Sequence, residues 1–167
     1  MSVENLTKED AIKKIKDLVK ASDICMFTTS LDKLPLNARP MSSQHTDDEG
    51  NIWFFSDKTS DKNIEIQKDN RVQLFYVNNS GYEYLSVYGT AEISRDKEKI
   101  EEYWSTMVKA WFPEGKEDPN LTLIKVKPED AYYWDTKNNK LVSLIKIMAS
   151  VVTGKTSDDG VEGELKV

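Results

Sequence analysis

Leu34 to Lys62 reads LPLNARPMSSQHTDDEGNIWFFSDKTSDK, and the fold is decided by how this stretch is read. Two strand-like runs, Asn37 to Gln44 and Asn51 to Ser56, flank a polar turn at Thr46 to Gly50. The second run leads into Thr59-Ser60-Asp61-Lys62, a helix start. The pattern predicts a hairpin with a capped helix attached. A hairpin presents backbone N–H and C=O groups at fixed spacing, and a helix start presents free N–H groups at a positive dipole end. Together they suit a flat heterocycle carrying a phosphate, with Arg39 and Lys62 adding charge and Ser60 and the amides after it as further donors.

Toward the N-terminus, Thr7-Lys8-Glu9-Asp10 is a capping-type start, followed by Ala11, Ile12, Ile15, Leu18 and Val19 at helical spacing. A helix over Lys8 to Ala21 is predicted, its apolar stripe lying on a sheet. Ile24 to Ser30 reads as a buried strand pairing antiparallel with Leu36 to Gln44 across Leu31-Asp32-Lys33. Pro35 and Pro40 place the second strand at an edge or opening, because proline has no N–H for a ladder. Two readings of Pro40 stand side by side: an ordinary edge strand, or an edge where a ligand takes the place of a neighbouring strand.

Toward the C-terminus, a helix is predicted over Ser60 to Asn70 with Ile64 facing inward. Arg71 to Asn78 and Tyr84 to Ser94 form a second hairpin around Asn79-Ser80-Gly81, with Gly89 marking a bulge or close approach. Asp96 to Phe112 reads as the longest helix, its stripe being Ile100, Tyr103, Trp104, Met107, Val108 and Trp111, stopped by Pro113 and Gly115. Strands follow at Leu121 to Val126, Asp130 to Trp134 and Lys140 to Ala149. The polar end, Thr153 to Val167, carries a short strand at Gly163 to Val167. Many short strands with a few inserted helices predict a mainly β chain with α elements, an antiparallel barrel with peripheral helices, in one domain over residues 1–167.

Composition narrows the function classes. With 23 basic and 29 acidic residues the net charge is −6, which disfavours nucleic acid and anionic membranes while leaving room for one local basic pocket. No apolar run approaches the length needed to span a bilayer. A single cysteine, Cys25, and no basic-then-apolar leader point to the cytoplasm. Metal, P-loop and dinucleotide patterns are absent, and so is a hydrolase triad. Cys25 reads as a core residue and His45 as an exposed loop residue. A chain poor in acid–base and nucleophile candidates but rich in aromatics suits a cofactor that brings its own reactivity.

The segment Ala38-Arg39-Pro40-Met41, the run Trp53-Phe54-Phe55-Ser56-Asp57 with a lysine soon after, Ala110 to Gly115 (AWFPEG) and Asp118-Pro119 together resemble the pyridoxamine 5′-phosphate oxidase-like flavoproteins, in particular their general stress protein branch. The resemblance covers about Leu6 to Met148. It implies an FMN-binding split β-barrel, with FAD as the alternative cofactor. It further implies that Pro40, Met41, Ser42, Phe55 and Ser56 lie along the flavin, that Lys62 holds its phosphate, and that Trp111 and Phe112 approach the flavin of a partner subunit. Against that last assignment stands a plain reading of Trp111 and Phe112 as a hydrophobic clasp on the barrel. A homodimer with flavin at the interface is implied, acting as an oxidoreductase on an unidentified small redox substrate or as a non-catalytic flavin-storing or stress-sensing module. The acidic tail lacks the basic, histidine-containing pattern with which true pyridoxamine-phosphate oxidases hold substrate, so vitamin B6 oxidation is not expected. No catalytic side chain is identified.

Overall fold

A computed structural model describes residues 2–136 and 160–167. After two short strands, β1 (Ser2–Val3) and β2 (Leu6–Thr7), helix α1 spans Lys8–Ser22 and buries Ala11, Ile15, Leu18 and Val19, the i, i+4, i+7, i+8 stripe of an amphipathic helix. Asp23, at φ 58°, ends it by returning its N–H to Val19 O. The chain then enters β3 (Ile24–Thr29) and turns back as β4 (Asn37–Ser42), pairing antiparallel with Phe27 opposite Arg39.

The expected hairpin between Asn37–Gln44 and Asn51–Ser56 forms only at its tip. Ser43 N–H donates to Asp23 O on the β3 side, and Gln44 N–H donates to Trp53 O on the other, so the chain changes partner between two adjacent residues. Beyond this point β5 (His45–Thr46) pairs with β6 (Ile52–Asp57) around a turn in which Asp47 Oδ1 accepts from the N–H groups of Glu49 and Asn51. Helix α2 (Asp61–Lys68) follows. It buries Asn63 and Ile66 and leaves Ile64 exposed, the reverse of the sequence expectation, because the polar Asn63 has buried partners on the sheet.

Strands β7 (Arg71–Asn78) and β8 (Glu83–Ser94) make the second hairpin as expected. Where two strands were expected, β9 runs unbroken over Leu121–Thr136. It passes Pro128 by a register shift opposite Tyr88 and Gly89, and a Cβ on Gly89 would lie 2.1 Å from Lys127 O. Only glycine admits that approach. One edge of β9 pairs with β8; the other is shared, Leu121–Val126 pairing with β6 and Ala131–Thr136 with β10 (Gly160–Lys166). The last strand is longer than the expected Gly163–Val167, and β1 and β2 add to it in parallel. The expected strand Lys140–Ala149 lies outside the described residues.

The anticipated long helix over Asp96–Phe112 is a short one. Helix α3 covers Lys97–Tyr103, capped by the Asp96 carboxylate on the N–H groups of Glu98 and Lys99, and Trp104 is extended at ψ 130°. Two 3-10 turns follow, Val108–Ala110 and Gly115–Glu117. Ser105 and Thr106 sit at the break, both poor helix formers. The apolar stripe is kept only in part: Ile100, Tyr103 and Val108, with Phe112 from outside it, join Trp53, Leu121 and Leu123 in one buried cluster and Trp104 packs against it, whereas Met107 and Trp111 are exposed because the chain leaves the helix at Trp104. Among the described residues the longest helix is α1.

Alternation along β6 separates two cores. Ile52 and Phe54 enter the main one with Phe27, Leu74, Val87, Ile124 and Tyr133, whereas Trp53 and Phe55 face the second cluster. The sheet runs from β10 through β9, β8, β7 and β3 to β4, with β6 branching from β9, and among the described residues no ladder joins β4 to β6. The architecture is a mainly antiparallel β-barrel split along that seam, with helices on its periphery. No helix among the described residues is long and apolar enough to cross a membrane.

Phe27 and Phe54 meet edge to face at 5.2 Å, both fully buried at the centre of the barrel. Phe54→Ala is expected to lower the unfolding free energy by about 3–5 kcal/mol, read from chemical denaturation.

Candidate functional site

The seam is a cleft of about 480 Å³. One wall is β4, from Arg39 to Ser42, with Gln44; the opposite wall is Phe55, Ser56 and Asp57 of β6. Lys62, in the first turn of α2, closes one end, and Ser105, Met107, Val108, Trp111 and Phe112 form a third wall from the irregular segment after α3. Among the described residues Pro40 therefore lies in an edge strand whose unpaired side faces an opening.

Nine of the ten residues singled out in the sequence line this cleft: Arg39, Pro40, Met41, Ser42, Phe55, Ser56, Lys62, Trp111 and Phe112. Ser60 does not; its hydroxyl donates to Asp57 O at 2.6 Å, bracing the turn before α2. Phe112 is buried in the second apolar cluster, whereas Trp111 is 74% exposed at the rim beside the equally exposed Met107. Phe55 packs edge-on to Trp104 at 5.8 Å. Gln44, Asp57, Ser105, Met107 and Val108 were missed, although each lies next to a segment already singled out.

The cations differ in how they are held. Arg39 donates to Thr29 Oγ1 and, at 2.9 Å, to Glu65 Oε2. Lys62 is half-buried and makes no hydrogen bond or ion pair among the described residues. Burial, followed by the neighbouring charge of Arg39, holds its ammonium below the usual lysine range. Burial of Glu65 opposes its ionisation, but hydrogen bonds from Thr29 and Arg39 outweigh that and keep its carboxyl below its ordinary value. Asp57 is also held low, by the hydroxyl and amide of Thr59, each at 2.6 Å.

A buried polar bridge fixes the end wall. Ser56 Oγ donates to Asn63 Oδ1 at 2.6 Å, Asn63 Nδ2 donates to Thr122 Oγ1 at 3.0 Å, and Thr122 Oγ1 donates to Ser56 O at 2.7 Å. This ties the start of α2, and with it Lys62, to β6 and β9.

Elsewhere the chemistry is sparse. Burial pushes the Cys25 thiol up to about 12, consistent with an inert core residue. His45 is exposed as expected, but its ring stacks on Tyr103 at 4.6 Å. Among the described residues no group of His, Cys, Asp and Glu side chains is placed to hold a metal. A second hollow of about 440 Å³ between α1 and β5 shares Gln44 with the seam, and its Lys16 is paired with Asp48.

Because the Asn63 bridge is fully buried, Asn63→Ala is expected to cost about 1–3 kcal/mol of stability, larger than the loss for Ser60→Ala, with thermal or denaturant unfolding as the measurement.

The fold and the cleft have counterparts among known proteins. The sequence model of the family described as Pyridoxamine 5'-phosphate oxidase like matches residues 10–158. General stress protein 26 of Bacillus subtilis (strain 168) is 27% identical over 142 residues, spanning 83% of this chain and 99% of that protein. A crystal structure described as a candidate general stress protein 26 from Jannaschia sp. CCS1 superposes with a TM-score of 0.79 at 26% identity, covering 96% of this chain and 100% of the other. That of the general stress FMN/FAD binding protein from Xanthomonas citri gives a TM-score of 0.67 at 25% identity, covering 79% and 93%. With the family model spanning most of its length, the chain belongs to the pyridoxamine 5'-phosphate oxidase-like family.

Proposed function

We propose that the seam binds FMN, with FAD as the alternative, and that the protein is a general stress flavoprotein acting as an oxidoreductase on a small redox substrate. The observation that carries this reading is Lys62: a half-buried cation that makes no ion pair among the described residues, feels the charges of Asp57 and Asp61 only at longer range, and stands beside Arg39 at the end of the slot. A desolvated ammonium next to a guanidinium is costly on its own, and an anionic group of a ligand relieves that cost. Met41, Phe55, Val108 and Phe112 supply apolar surface for a flat ring, and the free edge of β4 offers backbone groups to its polar rim.

When bound, a flavin supplies reversible acceptance of a hydride or of single electrons, and the chain's part is to bind, orient and shield it. The ionisable residues lining the cleft are Arg39, Lys62 and Asp57. Asp57 is held ionised by Thr59, so it is a poor proton donor. That scarcity also favours a second reading, a flavin-storing or stress-sensing module without turnover.

A homodimer with the clefts at its interface is part of the proposal. Ile24 and Met26 of β3 and Phe75 and Val77 of β7 are 43–56% exposed on one outer face of the sheet, with Met26 directly opposite Phe75. The face continues through Tyr84 to Tyr132 and Trp134, whose rings lie 4.9 Å apart. An apolar surface of this kind on an edge-to-centre run of strands suits a second copy. The lone buried thiol of Cys25 is compatible with the cytoplasm.

FMN titration followed by absorbance is expected to show micromolar or tighter binding, and Lys62→Ala and Arg39→Ala to weaken it by about ten- to a hundredfold each. A parent protein that leaves the flavin spectrum unchanged at micromolar concentration sinks the flavin reading. Reduction of the bound flavin by a nicotinamide nucleotide, with turnover on an added acceptor, favours the oxidoreductase over the module. Separately, light scattering is expected to give a dimer for the parent and a monomer for Met26→Asp combined with Phe75→Glu; an unchanged mass for the double variant counts against this face as the interface.

A further inference from the structure

We propose that Glu65 is a positioning residue for the anion end of the cleft: with Thr29 it holds the Arg39 guanidinium in the orientation that receives a ligand phosphate. This rests on the reading of the seam as a site for a flavin phosphate.

Arg39 sits on β4, at the edge of the sheet among the described residues, where a long side chain is free to swing and ordering it costs rotamer entropy. Here it is locked instead. One nitrogen donates to Thr29 Oγ1, the other to Glu65 Oε2, and Thr29 Oγ1 itself donates to the same Glu65 oxygen. The three groups form a closed ring, and a guanidinium held at two points has lost its freedom to rotate. Thr29 is fully buried on β3, so the anchor is part of the barrel wall. The other carboxylate oxygen of Glu65 accepts from Asn37 Nδ2 at 2.7 Å, so Glu65 is itself held from both sides. One N–H of each terminal guanidinium nitrogen is engaged in this way, which leaves the remaining N–H donors of Arg39 for the cleft that it lines.

Helix α2 thus sets both cations. Lys62 and Glu65 are three residues apart on one helical face, yet Glu65 pairs with Arg39, and among the described residues Lys62 makes no ion pair. One cation is oriented through a carboxylate, and the other is presented bare.

The test compares FMN with riboflavin, which has the same ring and no phosphate, on the parent, Glu65→Gln, Arg39→Ala and the double variant. Glu65→Gln is expected to weaken FMN binding about three- to tenfold and to leave riboflavin within about twofold. In the Arg39→Ala background the loss should vanish or reverse, because Glu65 is then an uncompensated negative charge near the phosphate. The phosphorus NMR signal of bound FMN should shift in Glu65→Gln. Thr29→Val, which keeps the buried shape and removes one arm of the ring, should repeat the FMN-selective loss. Equal losses for FMN and riboflavin, equal losses in both backgrounds, or tighter FMN binding in Glu65→Gln would each overturn the proposal. A parent that binds riboflavin as tightly as FMN would instead overturn the phosphate reading beneath it, and this assignment with it.

Discussion

Everything in this barrel depends on the divided edge of β9. A strand of sixteen residues is longer than either neighbour on that side, so β6 takes its first half and β10 its second. Continuity through Pro128 rests on the bulge at Gly89, where the backbone of β9 comes too close for any side chain. Pairing with β9 takes one edge of β6 and the short β5 covers only Ile52 and Trp53 on the other, while β4 is bound to β3 at the far end of the same sheet. Curling brings the two strands to face each other without a ladder, and the opening is the cleft.

The opening is hospitable to an anion against the overall charge. The chain carries a net charge of −6, yet the end of the seam gathers Arg39 and Lys62; of the carboxylates close by, Glu65 is paired with Arg39, and the charges of Asp57 and Asp61 act on Lys62 without a hydrogen bond to it. Local fields in a cleft are set by the nearest few groups rather than by the total. The buried bridge through Asn63 makes this arrangement rigid, since it is connected to the strand ladder on both sides.

Much of this was legible in the sequence. The stripe of α1, the β3–β4 and β7–β8 pairs and the bulge at Gly89 are local patterns, and local patterns carry most of the information in alternation and turn chemistry. Of the residues of the cleft, Arg39 and Lys62 were legible from their chemistry beside a helix start, and Pro40, Met41, Ser42, Phe55, Ser56, Trp111 and Phe112 through the resemblance of three short segments to known flavoproteins. What escaped was decided by distant partners. The change of partner at Ser43 and Gln44 leaves no trace in alternation, since both sides of it read as strand. The interruption at Trp104 preserves the apolar spacing on either side, so periodicity reads straight through it. Asn63 is buried in place of Ile64 because Ser56 and Thr122 await it, and Glu65 orients Arg39 across elements that are far apart in the chain.

The third wall differs from the other two in kind. Ser105 to Phe112 contributes no strand to the sheet and touches the barrel through a few apolar anchors, chiefly Val108 and Phe112, while Met107 and Trp111 stand free at the rim. Changes of length or sequence between those anchors leave the ladder untouched. On the proposed reading of the cleft, such a barrel would acquire new ligand preferences by rewriting one loop, and that wall is able to diverge at its own pace from the strands that fold.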